Sequence, residues 1–219
     1  MFEDWRNRAR EDGLKHLNEK YGEEFTYIGP GPSASVFLDS RISYYYSCPS
    51  FPGESIRLYC TLRDGNDFAF GDNYMGYYYR SQVYSALQSC VAQVYGAGKV
   101  FYNVSGYPLD DSVGPNAPFE EYASSDAAQI NFTVVLSEES SSTAHKEQDI
   151  ERLREKLAEQ SIRCSGGVYY TKRAEYEKID ADNIKEYLIA NTNGDSKWCS
   201  ALGSFKIDES WEFSYANWR

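Results

Sequence analysis

Ile56-Arg57-Leu58-Tyr59-Cys60-Thr61-Leu62 alternates without a break. Ile56, Leu58, Cys60 and Leu62 fall on one face, and Arg57, Tyr59 and Thr61 on the other. Successive side chains of a strand point to opposite faces, so this period of two predicts a half-buried β-strand. Asp64-Gly65-Asn66-Asp67 follows. Gly tolerates positive φ, and Asp and Asn hydrogen-bond their own backbone, so these four residues predict a hairpin turn. Phe68 and Phe70 resume the alternation in a second strand, and Gly71-Asp72-Asn73 predicts a second turn. Tyr74 to Tyr79 reads as a Tyr-rich strand, since aromatics suit a pleated surface. Then the period changes. Val83, Leu87, Cys90, Val91 and Val94 share one face of a helix, with Ser81 as its N-cap and Gly96 as its C-cap. Val100 to Val104 adds a strand. The segment 54–106 therefore predicts strands and one helix, with the helix packed on the sheet its neighbours form.

Upstream, residues 2–22 read as a helix. Phe2, Trp5 and Ala9 make one apolar stripe and Leu14, Leu17 and Tyr21 another, with a kink expected at Gly13 and a stop at Gly22. Phe25 to Ile28 predicts a strand and Gly29-Pro30-Gly31-Pro32 a loop. Val36 to Leu38 and Ile42 to Cys48 predict further strands, with Tyr44 and Tyr46 opposite Ser43, Tyr45 and Ser47.

Downstream, 106–118 is rich in Pro, Gly and Asp, which predicts a linker or long loop. Phe119 to Tyr122 predicts a short helix. Ile130, Phe132, Val134 and Leu136 predict a strand by alternation. Ser137 to Thr143 has no periodicity and reads as mobile. From Glu147, the stripe Ile150, Leu153, Leu157 with alternating outer charges predicts a helix that ends at Cys164–Gly167. Val168 to Thr171 is a strand, and Ile184, Tyr187 and Leu188 mark another helix. Trp198 to Ile207 and Trp211 to Tyr215 predict a closing hairpin. The class is α+β: antiparallel sheets packed by helices. The expected division is two small α+β halves, 1–108 and 119–219, joined by 109–118.

Hydrophobic residues at 42% and charged residues at 25% over 219 positions allow a real core. The net charge of −11 argues against nucleic acid and anionic membrane surfaces as partners, since both need basic patches, and it permits a basic protein partner. No apolar run approaches the ~20 residues of a membrane span. The first 21 residues are charged throughout and show no export signal. The expected compartment is the cell envelope or exterior if a signal precedes Met1, and the cytoplasm otherwise. Cys48 could pair with Cys60, and Cys164 with Cys199. Cys90 on the apolar helix face reads as a buried thiol, and five free thiols fit equally well. None has CxxC spacing, which argues against structural zinc.

The chemistry-bearing residues are sparse. His16 and His145 are the two histidines, and neither sits beside a strand-end nucleophile. Asp64, Asn66, Asp67 and Asp72 offer hard oxygen ligands, but Phe68 breaks the calcium-loop pattern and no Glu closes it. No metal and no cofactor is expected. Glu23-Glu24 and Glu120-Glu121 are paired carboxylates of the kind common at helix ends, and do not by themselves specify a glycosidase. Twenty tyrosines are explained most simply by amphipathic sheet. The sharper reading is an aromatic contact surface, placed at Tyr74, Tyr77, Tyr78 and Tyr79.

Leu17-Asn18-Glu19-Lys20-Tyr21-Gly22-Glu23-Glu24-Phe25 resembles the opening of a loose group of exported, often lipid-anchored proteins of Gram-positive bacteria. In that group a helix ending in a KYGEEF-like phrase leads into a sheet. Asp72-Asn73-Tyr74 is similar to a second phrase of the same group, and the strand, acidic helix, strand order of Ile130 to Tyr170 fits it. This chain departs by having no lipobox cysteine near its start. The resemblance implies an envelope location and supplies no catalytic residues. The expected function is a non-enzymatic, envelope-associated or protein-binding module. The alternative is an acidic antagonist, such as an immunity protein, that binds a basic partner. A hydrolase ranks third, because it needs converging carboxylates or histidines in a cleft.

Overall fold

A computed structural model describes residues 2–32, 41–63, 67–105, 113–125, 128–192, 197–207 and 213–218. The fold is α+β, and the described residues form two sheets. The first has the order β1-β2-β3-β4 and is antiparallel throughout, with β1 Thr26–Pro30, β2 Arg41–Ser47, β3 Ile56–Leu62 and β4 Phe68–Asp72. The second has the order β5-β6-β7-β8-β9, with β5 Lys99–Tyr102, β6 Ile130–Ser137, β7 Cys164–Thr171, β8 Ala201–Ile207 and β9 Phe213–Trp218. The pair β6–β7 is parallel and the other neighbours are antiparallel, so this sheet is mixed where antiparallel pairing was expected. Parallel strands need a crossover, and the helix α5, Lys146–Glu159, supplies it.

Contacts divide the chain into two interleaved units: Met1–Tyr79 with Val104–Ala128, and Arg80–Asn103 with Gln129–Arg219. This does not follow the expected break at 109–118. The segment 54–106 is itself cut. Its strands β3 and β4 belong to the first unit, while its helix α3, Arg80–Tyr95, and β5 belong to the second. Within the second unit the helix packs on α5 and β5.

In the first unit, α1, Phe2–Tyr21, lies on β3 and β4. Tyr44, Tyr46, Ile56, Leu58 and Cys60 are buried on the covered face. The Tyr44 hydroxyl donates to the Arg6 carbonyl at 2.6 Å, Tyr46 to Arg10 at 3.0 Å, and the Cys60 thiol to Ala9 at 3.5 Å. Burial raises the Tyr44 phenol and the Cys60 thiol to about 12 each. Gly13 does not kink α1. A Cβ there would meet Leu58 Cδ2 at 2.5 Å, so Gly13 is what lets helix and strand approach. Gly22 closes the helix at φ +68°, and its N–H donates to the Asn18 carbonyl. The opposite face of this sheet carries half-buried Tyr45, Arg57 and Tyr59, with the Arg57 guanidinium 4.4 Å over the Tyr59 ring.

Two expectations fail near this sheet. Gly29 and Pro30 extend β1 instead of forming a loop, since an edge strand tolerates proline. Tyr74 to Tyr79 is not a strand. Tyr74–Tyr78 forms the helix α2, started by the Asp72 carboxylate, which accepts the Tyr74 N–H at 2.9 Å. Val36–Leu38 and Trp211 lie outside the described residues.

In the second unit, helices cover both faces of the sheet. Ile130, Phe132, Val134 and Leu136 share a face with Val168 and Tyr170, the side of buried Leu153 and Leu157 on α5. On the other face Val135 and Tyr169 pack with Ile179, Ile184 and Trp198, under α6, Arg173–Tyr176, and α7, Ile184–Thr192. Hence β6 is buried at every position but Asn131, where alternation predicted one wet face. Lys99 ties β5 to α6 by donating to the carbonyls of Tyr176 and Ile179 at 2.5 and 2.6 Å. Ser137–Thr143, expected to be mobile, forms a turn with Ser141 buried and its N–H on the Ser137 carbonyl. Residues 164–167 begin β7 and do not end α5. The stop is at Ser161, whose φ is +54°.

Candidate functional site

The tyrosines singled out from the sequence do not form one surface. Tyr74 is buried, stacked on Tyr21 with centroids 3.8 Å apart, and burial drives its phenol far above the usual range. Tyr77 is half-buried and faces Phe51 at 5.8 Å. Tyr79 is buried against Phe119 and Tyr122, and its hydroxyl donates to the Ala117 carbonyl. Only Tyr78 of the four is exposed, at 51%.

Two stretches singled out from the sequence, Lys20-Tyr21 and Asp72-Asn73, meet in space. Lys20 Nζ reaches Asp72 Oδ2 at 3.0 Å, and the Tyr21 hydroxyl donates to Asp72 Oδ1 at 2.8 Å. Asp72 is 1% exposed, so this pair is buried. Asn73 accepts the Arg57 N–H at 2.8 Å and donates to the Ser105 carbonyl at 3.2 Å. These groups satisfy one another and fasten α1 to the end of β4. They account for these stretches as fold chemistry, because a buried carboxylate needs such partners.

Of the metal candidates, Asp64 and Asn66 lie outside the described residues, Asp67 is exposed, and Asp72 is engaged by Lys20. The described residues contain no cluster of three or more His, Cys, Asp or Glu placed to hold a metal ion. His16 stacks on Phe70 at 4.7 Å, and His145 lies in a 3-10 turn. All five cysteines are free thiols, so neither suggested pairing forms. Burial raises the Cys90 thiol to about 11 and the Cys164 thiol further, the opposite of an activated nucleophile.

A cleft of about 500 Å³ opens beyond the C-terminal ends of β6 and β7, lined by Glu138, Glu139, Lys172, Arg173, Ala174 and Glu177. Open α/β sheets place ligands at such ends. Here the charges already neutralise one another, with Arg173 on Glu139 at 3.2 Å and on Glu177 at 2.9 Å.

The most distinctive chemistry is the placement of charge. The first unit has 17 Asp and Glu against 8 Lys and Arg, and the second 16 against 14. Residues 104–128 hold five acids and no Lys, Arg or His. Exposed Glu120 and Glu121 stand in the first turn of α4, Phe119–Ser124, a favourable end of the helix dipole for carboxylates. Both act on the Tyr79 phenol, whose ring meets the Tyr78 ring edge-on at 4.9 Å. An exposed ring and two exposed carboxylates thus flank one buried tyrosine. The sequence signal for this grouping was the 25-residue stretch free of basic residues, which composition over the whole chain averages away.

No family model matches the chain, and no curated protein matches it. Among solved structures, it is similar to the crystal structure of a DUF5037 family protein from Ruminococcus gnavus ATCC 29149, with 14% identity over 92% of each chain and a TM-score of 0.47. The described residues include no helix long and apolar enough to cross a membrane.

Proposed function

We propose that the protein is a non-enzymatic binding module whose first unit engages a basic protein partner. The carrying observation is the charge asymmetry, 17 acids against 8 bases in one unit and near balance in the other. A one-signed surface steers an oppositely charged partner and rejects like-charged ones. Tyr78 with Glu120 and Glu121 is the contact point of this reading. An exposed ring offers its face to a Lys or Arg side chain, and neighbouring carboxylates complete the ion pair. The envelope setting implied by the KYGEEF-type opening belongs to the same proposal and is checked by cell fractionation.

The test is fluorescence anisotropy with a labelled Lys/Arg-rich peptide and its Gln-substituted analogue. Binding should weaken at least tenfold between about 50 and 300 mM salt, and again in Tyr78→Ala/Glu120→Gln/Glu121→Gln. Equal binding of the uncharged analogue, or unchanged binding by the triple variant, would overturn the proposal.

A further inference from the structure

The outer strand β4 is built to be continued. Arg63 N–H donates to the Asp67 carbonyl at 2.8 Å, and Asn73 N–H to the Arg57 carbonyl at 3.3 Å. With Thr61 opposite Ala69 and Tyr59 opposite Gly71, the odd-numbered residues of β4 spend both backbone groups on β3. The N–H and C=O groups of Phe68 and Phe70 therefore point away from the sheet, and among the described residues no strand pairs with them. The same two phenylalanines floor a cleft of about 480 Å³ between β4 and α1. Helix and strand run in the same sense beside it: Trp5 and Arg8 meet Phe68, His16 meets Phe70, and Lys20 meets Asp72.

The rim of the cleft on α1 reads Arg8, Asp12, Lys15, Glu19, alternating in sign. This order is self-complementary under reversal. Laid antiparallel on a copy of itself, Arg8 faces Glu19 and Asp12 faces Lys15, and each contact occurs twice. That is the signature of a two-fold interface, where residue i meets j and j meets i. The strand obeys the same operator. Antiparallel pairing centred on Ala69 sets Phe68 against Phe70 of the copy, and these are the residues whose backbone groups face outward. Because α1 lies over β3 and β4, two such helices would stand about 10 Å apart, the ordinary spacing of packed helices.

We propose that β4 is the seam of a homodimer, in which two copies join their first sheets edge to edge and pair their α1 helices. The inference stands apart from the basic-partner reading, since it uses different residues of the first unit and a different chemistry. Like charge on the two units opposes association, but at 0.15 M salt that repulsion reaches only about 8 Å, whereas the paired side chains touch.

Sedimentation equilibrium of the full chain in 0.15 M salt tests it. The expected species is a dimer of the 25.0 kDa chain. Arg8→Glu and Glu19→Arg should each weaken the dimer at least about tenfold, since each puts like charges together at two symmetry-related places. The double variant Arg8→Glu/Glu19→Arg should recover to within about threefold. Positions 8 and 19 are about 16 Å apart along one helix, so recovery has no source within a single copy. Hydrogen exchange gives a second readout: the Phe68 and Phe70 amides should be protected at high protein concentration and open on dilution. A chain that stays monomeric to about 1 mM, a double variant as weak as the singles, or amides indifferent to concentration would each overturn the seam. The edge would then be left to an extended segment of another protein.

Discussion

The first sheet has one helix-covered face and the second has two, and the difference governs how each strand reads and what each can tolerate. On β3 Ile56, Leu58 and Cys60 are buried in alternation, because α1 covers one side and the half-buried Arg57 and Tyr59 occupy the other. On β6 nearly every residue is buried, because α5 lies on one side and the α6–α7 layer on the other. The first sheet is therefore held to a helix on one side, by hydroxyl and thiol donors reaching α1 carbonyls and by the Lys20 and Tyr21 contacts to Asp72. The second is held from both sides by apolar packing.

Substitutions can break this comparison. Phe132 on β6 is 1% exposed, and its ring meets Phe205 edge-on at 5.6 Å. Phe132→Ala should cost about 3–5 kcal/mol in denaturant unfolding; a loss below about 1 kcal/mol would mean that the α5 face of the second sheet is not tightly packed. Asp72→Ala should cost about 3 kcal/mol, because it strands Lys20 at a site where its side chain is only 12% exposed. Lys20→Met/Asp72→Leu should recover only the part due to the uncompensated Lys20 charge, because the Tyr21 hydroxyl and the Tyr74 N–H still lose the Asp72 acceptor.

Alkaline pH sharpens the comparison at the α1 joint. The Cys60 thiol has its pKa raised from 9.0 to about 12 in the folded protein, by burial first and then by Asp12. A raised folded pKa means that stability is complete below pH 9 and is lost as pH rises toward 12. The loss should reach about 3 kcal/mol by pH 11. Far-UV circular dichroism against pH should show a shallower decline in Cys60→Ala, and an unchanged slope would exclude the thiol as the cause. The smallest effect is expected on the uncovered face. Tyr59→Ala removes the ring under Arg57 and should cost less than about 1 kcal/mol.

Local pattern was legible where one face decides. The alternation of β3, the stripe of α5 and the Gly22 stop all follow from residues a few positions apart. Tyr74–Tyr78 reads as a strand because its tyrosines suit one by propensity, while the deciding group, the Asp72 carboxylate, lies two residues before the run. Burial of β6 on both faces depends on helices from two separate parts of the chain, which no window over Ile130–Ser137 contains. The candidate site was legible only in part. Tyr78 was named, but its companions Glu120 and Glu121 are over forty residues away and were read as an ordinary helix start.

The chain passes between its units after Tyr79, after Asn103 and again after Ala128. During synthesis this order has a cost in time. The apolar face of α3 and the strand β5 are complete before any residue of β6 or α5 exists, and the first unit still awaits Val104–Ala128. At about 5–20 residues per second, the newly made α3 stripe of Val83, Leu87, Cys90 and Val91 waits several seconds for its partners. The first unit is complete at Ala128, while α3 and β5 of the second still lack their partners, so a chain halted near residue 128 would present an unburied helix for a chaperone to hold.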